Sequence, residues 1–218
     1  MESIFLYILG AVAMLIVIGA PAVMLLIKVQ GQLEYDIINI DADKTLDLEY
    51  FRQIDKFASR HGYTREMDIS VKGLAGENFN RLYTSADGSS ILATQMFTQV
   101  GNFSTYIEFC SMYDEVDVCV NNAQVSNLLY NPPWSHTIQR PDITEPEKLM
   151  SLHRQACAQY GRGAIRRLEA SQFASMFQQK HMRNMEYQVE RGIFKKDSTG
   201  QWYRPRFKLA LRGVANYL

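Results

Sequence analysis

His153 and Cys157 put the most reactive side chains of this chain at a useful spacing. Four residues apart on a helix they share a face, and an imidazole beside a thiol is how a cysteine nucleophile meets its base. Leu149 and Leu152 belong to the same stretch, so its inner face serves a core and a catalytic dyad is not the expected use. Glu108 and Asp117 are two carboxylates on the arms of one hairpin that general acid–base chemistry could use; residues on a solvated sheet face explain them more simply. The four histidines, His61, His136, His153 and His181, stand far apart. Neither HExxH nor the doubled Cys/His spacing of a zinc site occurs. No phosphate-cradling glycine loop and no G-x-S-x-G is present. The sequence assigns no catalytic, metal-binding or cofactor-binding residue and implies no cofactor.

Cys110 and Cys119 flank an acidic stretch containing Asp114 and Glu115. If those two acids form a two-residue turn, the cysteines sit directly opposite and close enough to react. Two separate small side chains in a core is the preferred reading. With Cys157 the cysteines are odd in number and sparse, which fits a reducing compartment better than a secreted disulfide framework.

Charge points to binding. Residues 29–144 hold 8 Lys/Arg against 16 Asp/Glu, a net of −8, and residues 145–218 hold 14 against 6, a net of +8. Either the two parts compensate by packing, or the basic part faces something anionic. Arg204, Arg206, Lys208 and Arg212 cluster beside Trp202 and Tyr203, the ingredients of a phosphate-contacting patch. With Lys28 they are expected to meet anionic headgroups or an acidic partner. Nucleic acid is not the expected partner of a chain that is neutral overall.

Ile4 to Ile27 is 24 residues without a charge. As a helix that is about 36 Å, against a hydrocarbon core of about 30 Å. A signal peptide fits less well, because no basic region precedes the run and the run is too long. The expectation is a single-pass transmembrane anchor over residues 1–28. Gly10, Ala13 and Ala20 fall near one face, where small residues admit a neighbouring helix. Lys28 and Lys44 both follow the run, which places the rest of the chain in the cytoplasm.

Residues 29–218 read as one soluble α+β domain. A first strand at 32–40 precedes an amphipathic helix at 46–61, with Phe51, Ile54, Phe57 and Ala58 in 3–4 spacing and Gly62 as its stop. From Met67 to Val125 the period becomes two, an antiparallel β-meander of four or five strands with Asp87-Gly88 at one hairpin turn. Tyr130, Pro132, Pro133 and Trp134 form a stiff aromatic loop, read either as a docking loop or as a lid over the sheet edge. The last third reads as C-terminal helices. Thr144 and Glu147 suit a capping box, a helix runs toward Tyr160, and a longer one runs from about Ala164 to Arg191. A small hairpin turns at residues 197–200. A closing helix from about Arg204 would line up Arg204, Lys208 and Arg212 on one side.

Together these features predict a non-enzymatic accessory subunit of a larger integral-membrane complex. One helix anchors it in the lipid bilayer beside other transmembrane subunits, and the soluble domain docks, with a sheet-rich acidic part (29–144) and a helical basic part (145–218). The alternative is a membrane-tethered enzyme whose site is assembled from scattered residues.

Overall fold

The computed structural model describes residues 28–43, 45–72, 78–99, 102–124, 129–167 and 169–209. The chain falls into two compact units. Of the described residues, the larger comprises those from 33 to 124 and from 131 to 179, and the smaller comprises 28–32, 129–130 and 180–209. Strand β1 (Val29–Gln30) lies in the smaller unit. The larger unit then forms β2 (Glu34–Ile38), α1 (Leu48–Arg60), β3 (Tyr63–Lys72), β4 (Asn78–Ser85), β5 (Ile91–Gln99), β6 (Asn102–Met112), β7 (Asp117–Asn121), β8 (Ser135–Gln139) and α2 (Pro146–Tyr160). Helix α3 (Phe173–Glu190) begins in the larger unit and ends in the smaller, which adds β9 (Phe194–Lys196) and β10 (Trp202–Pro205).

Strands β2 to β8 make a seven-stranded sheet in sequence order. Every neighbouring pair is antiparallel except β7 and β8, which run parallel. Alternation along the strands feeds two cores. Tyr83, Leu92, Phe109 and Val120 face α1 and α2, meeting Phe57 and Leu149. Leu82, Ile91 and Met112 face the other way and meet Leu33, Phe173 and Phe177. Leu82 and Tyr83 are consecutive, point to opposite faces and are both 1% exposed, so both faces of the sheet are covered.

Local chemistry sets the ends of the elements. The Asp47 carboxylate caps α1, accepting from the N–H groups of Glu49 and Tyr50. The β4–β5 turn is held by the Asp87 carboxylate, which accepts from Ser85 Oγ and from the N–H and Oγ of Ser89; these bonds push its pKa down to about 2. Gly88 takes φ +70° there, a conformation that side chains disfavour.

Several expectations are corrected. No helix among the described residues is long and apolar enough to cross a membrane. Helix α1 has 13 residues, about 20 Å against the roughly 30 Å required, and the 18-residue α3 carries Lys180, Arg183, Glu186 and Glu190. The fold is therefore α+β with a seven-stranded sheet, and the single-pass, membrane-complex architecture and membrane localisation are set aside. Ile4 to Ile27, with Gly10, Ala13 and Ala20, lies outside the described residues. Helix α2 has Glu145 as its N-cap residue with no side-chain cap, because Pro146 starts the helix one residue later than a Thr144 capping box requires. The longer helix begins at Phe173 after a 3-10 turn over Ala170–Gln172; Gly163 adopts φ +81°, and Ile165 bridges to Tyr113, so residues 163–167 are not helical.

The smaller unit is built on a three-stranded sheet in the order β1-β10-β9. Its core is Met185, Ile193, Phe194, Tyr203 and Leu209, with Val29, Tyr130 and Val189 at the margin.

Candidate functional site

A groove of about 750 Å³ opens in the larger unit, where α1, the first half of β6, the chain leaving β7 and the head of α2 converge. Helix α1 contributes Tyr50, Gln53, Lys56 and Arg60, successive residues of one helical stripe. The β6 wall is Ser104, Thr105 and Tyr106, and Asn122, Gln124, Thr144 and Glu147 complete the lining. Hydroxyls, amides, two phenols and two cations line this space, so it is equipped to hold a ligand by hydrogen bonds and charge.

Asn122 organises the groove. Its Oδ1 accepts from the Ile107 N–H at 2.7 Å, its own N–H donates to the Ile107 carbonyl at 3.3 Å, and its Nδ2 donates to the Ile143 carbonyl at 3.1 Å. The side-chain amide thus stands in for the next peptide of β7 and lets the main chain turn away from β6. Gln124 Nε2 continues the path with a bond to the Pro141 carbonyl at 2.8 Å. On the other wall Tyr50 OH donates to the Tyr106 carbonyl at 3.0 Å and accepts from Thr94 Oγ1 at 2.7 Å. Burial pushes the Tyr50 phenol up to about 12, so it stays a neutral donor. Arg60 and His61 reach Glu147 only at 3.9 Å, and the Arg60 side chain is 68% exposed.

A second polar cluster lies between α1 and the sheet. Arg81 is fully buried, and each of its three guanidinium nitrogens meets a carboxylate. Nε bonds Asp68 at 2.9 Å, Nη1 bonds Asp55 at 2.7 Å, and Nη2 bonds Asp41 at 2.8 Å. Arg65 adds a bond to Asp41 at 2.7 Å, and Tyr83 OH donates to Asp55 at 2.8 Å. Burial alone would lower the Arg81 pKa; its bonds to Asp68 and Asp41 overcome that and raise it. The bonds from Arg81 and Arg65 hold Asp41 below its ordinary value. Every charge in this cluster is used internally, which makes it a structural network.

His153 and Cys157 do meet, Nε2 to Sγ at 3.3 Å. Burial, however, depresses the His153 pKa to about 4, and its ring stacks on Phe109 at 5.9 Å. A neutral imidazole packed in the core does not supply the imidazolium that steadies a thiolate. Glu108 and Asp117 are not opposite: Glu108 faces Asn121, whose Nδ2 donates to it at 3.1 Å, while Asp117 pairs with Met112. Cys110 and Cys119 are opposite, as the two-residue turn requires. Their Cα atoms are 4.2 Å apart and their sulfurs are bonded, which corrects the reading of two separate core thiols.

The expected docking residues separate. Pro132 is buried, Pro133 exposed and Trp134 half-buried. The Trp134 carbonyl accepts from the Asp117 N–H at 2.9 Å, so this loop delivers β8 to the edge of the sheet. Tyr130 belongs to the smaller unit, where its N–H and carbonyl are both bonded by Gln188. Arg204 lies on β10 and not on a helix, because Pro205 closes that strand against Phe194. Arg204 is exposed directly opposite exposed Lys195. Arg206 and Lys208 are exposed, with Lys208 Nζ on the Arg191 carbonyl at 2.9 Å. Lys28 is exposed, and Arg212 lies outside the described residues. The sequence carried no sign of the groove, since its lining comes from four separated segments of polar residues.

No family model, no curated protein and no solved structure matches this chain. The groove's own geometry therefore has to carry the functional reading.

Proposed function

We propose that this chain is a non-enzymatic docking subunit of a larger protein assembly and that the groove between α1, β6 and α2 holds its partner. The observation that carries this is the contrast in how polar groups are used. Those of the Arg81 cluster are consumed within the fold, whereas Lys56, Arg60, Ser104 and Thr144 line an open space of about 750 Å³. The exposed cations Arg204, Arg206 and Lys208 of the smaller unit suit contacts with acidic segments of the same assembly, where charge steers association. A second reading, an enzyme using Cys157, has the 3.3 Å contact with His153 in its favour and the neutral state of that histidine against it.

The test is selection of a randomised linear peptide library on the 218-residue chain. The expected outcome is a set of binders whose affinity falls when Lys56 and Arg60 are both changed to Glu and is unchanged in Cys157→Ser. Binders indifferent to the charge reversal would overturn the groove as the docking site.

A further inference from the structure

Strand β6 is paired on both sides only along part of its length. Toward β5 its ladder runs from Asn102 to Cys110. Toward β7 it runs only from Glu108 to Met112. Among the described residues, the half from Asn102 to Tyr106 has no strand on the β7 side, and that side is a wall of the groove.

The direction of the free main-chain groups follows from the ladder. In an antiparallel pair, hydrogen-bonded and non-bonded positions alternate, the latter with Cα atoms about 4.5 Å apart. Cys110 and Cys119, 4.2 Å apart at Cα, occupy a non-bonded position. Phe109 and Ser111 therefore turn their N–H and C=O groups toward β7, and Ile107 does the same, with both groups taken by Asn122. Two residues back, Thr105 must point its N–H and C=O the same way, into the groove.

We propose that the partner docks by strand addition: an extended, acidic peptide segment of another protein pairs with β6 at Thr105 and takes up the line that β7 abandons at Asn122. This rests on the reading of the groove as the docking site. An extended segment fits because an open strand edge recognises main chain and leaves alternate side chains to be read by the walls. The acidic character follows from charge. Lys56 and Arg60 lie one turn apart on the opposite wall, where Arg60 Nε donates to the Lys56 carbonyl at 3.3 Å and Glu147 lies 3.9 Å from the Arg60 guanidinium. A carboxylate on the added strand would meet both.

The probe is the best acidic peptide from the library selection, remade with one backbone amide N-methylated at a time and bound to the 218-residue chain. One methylated position, the amide that donates to the Thr105 carbonyl, is expected to weaken binding about tenfold or more, the size of one lost hydrogen bond with its partner left unpaired, while the flanking positions change little. In amide exchange, the Thr105 N–H is expected to be unprotected in the free chain and protected in the complex. A flat methylation scan from a peptide that still requires Lys56 and Arg60 would overturn strand addition and leave the groove reading standing. Protection of the Thr105 amide in the free chain would also overturn it, because the edge would already be taken. Peptides indifferent to Lys56 and Arg60 would overturn both.

Discussion

Two groups of cations on or beside α1 behave in opposite ways. Arg81 projects from β4 beneath the helix, has no exposed surface and bonds Asp41, Asp55 and Asp68. Lys56 and Arg60 project from the helix itself into the groove, and the Arg60 side chain keeps 68% of its exposure. Removing a charge from water is tolerated only when bonded counter-charges replace the lost hydration. Arg81 has been given those partners, so its charge is spent on holding α1, β3 and β4 together. Lys56 and Arg60 stay exposed, with Arg60 no closer than 3.9 Å to Glu147, so their charge can still meet a newcomer. Burial with full pairing marks architecture, and exposure beside an open strand edge marks recognition.

Perturbing the buried network should produce the largest effect. Arg81→Leu leaves the Asp68 carboxylate, 1% exposed, without its main partner, and should cost about 3–5 kcal/mol in urea denaturation. Arg81→Leu combined with Asp68→Leu should recover much of that loss. Equal losses in the single and double variants would show that shape and not charge pairing matters there.

Acid should act through His153 next. Its folded pKa of about 4 lies below the ordinary 6.5, so between these values the unfolded chain binds a proton that the folded chain refuses. Stability rises with pH wherever the unfolded state holds more protons. It should therefore fall progressively from about pH 6.5 to about pH 4, by about 3 kcal/mol in all. Asp41, whose folded pKa is lowered by Arg81 and Arg65, adds a further loss only as the pH drops below its ordinary value of 3.8. A His153→Gln variant should show a flatter profile between pH 6.5 and 4, and an unchanged slope would assign the loss to other groups.

Asn122 tests where the two regimes touch. Asn122→Ala removes the acceptor for the Ile107 N–H and the donor to Ile143, and should cost about 1–3 kcal/mol in thermal or urea unfolding while weakening peptide binding. The smallest effect on stability belongs to the groove cations. Lys56→Glu with Arg60→Glu should change unfolding by no more than about 0.5 kcal/mol yet lower affinity for an acidic peptide about tenfold. A stability loss as large as that of Asn122→Ala would mean these cations serve the fold, and the contrast with Arg81 would collapse.

Much of the larger unit is legible in the sequence because its signals are local. The two-residue period from Met67 onward reports which side chains face the α1 core and which the α3 core. The spacing of Phe51, Ile54 and Phe57 reports the buried stripe of α1. Counting outward from Asp114 and Glu115 places Cys110 opposite Cys119. Each needs only the fixed geometry of a strand, a helix or a tight turn. Tertiary structure alone decided the rest. Alternation cannot say that β8 pairs parallel to β7, that Pro205 keeps Arg204 on a strand, or that Arg81 draws carboxylates from residues 41, 55 and 68 onto one guanidinium. Nor can it say where a ladder stops. β6 is a continuous strand in sequence, and it becomes a groove wall only because Asn122 ends β7 five residues after it starts, a choice made by hydrogen bonds to Ile107 and Ile143 that no local pattern records.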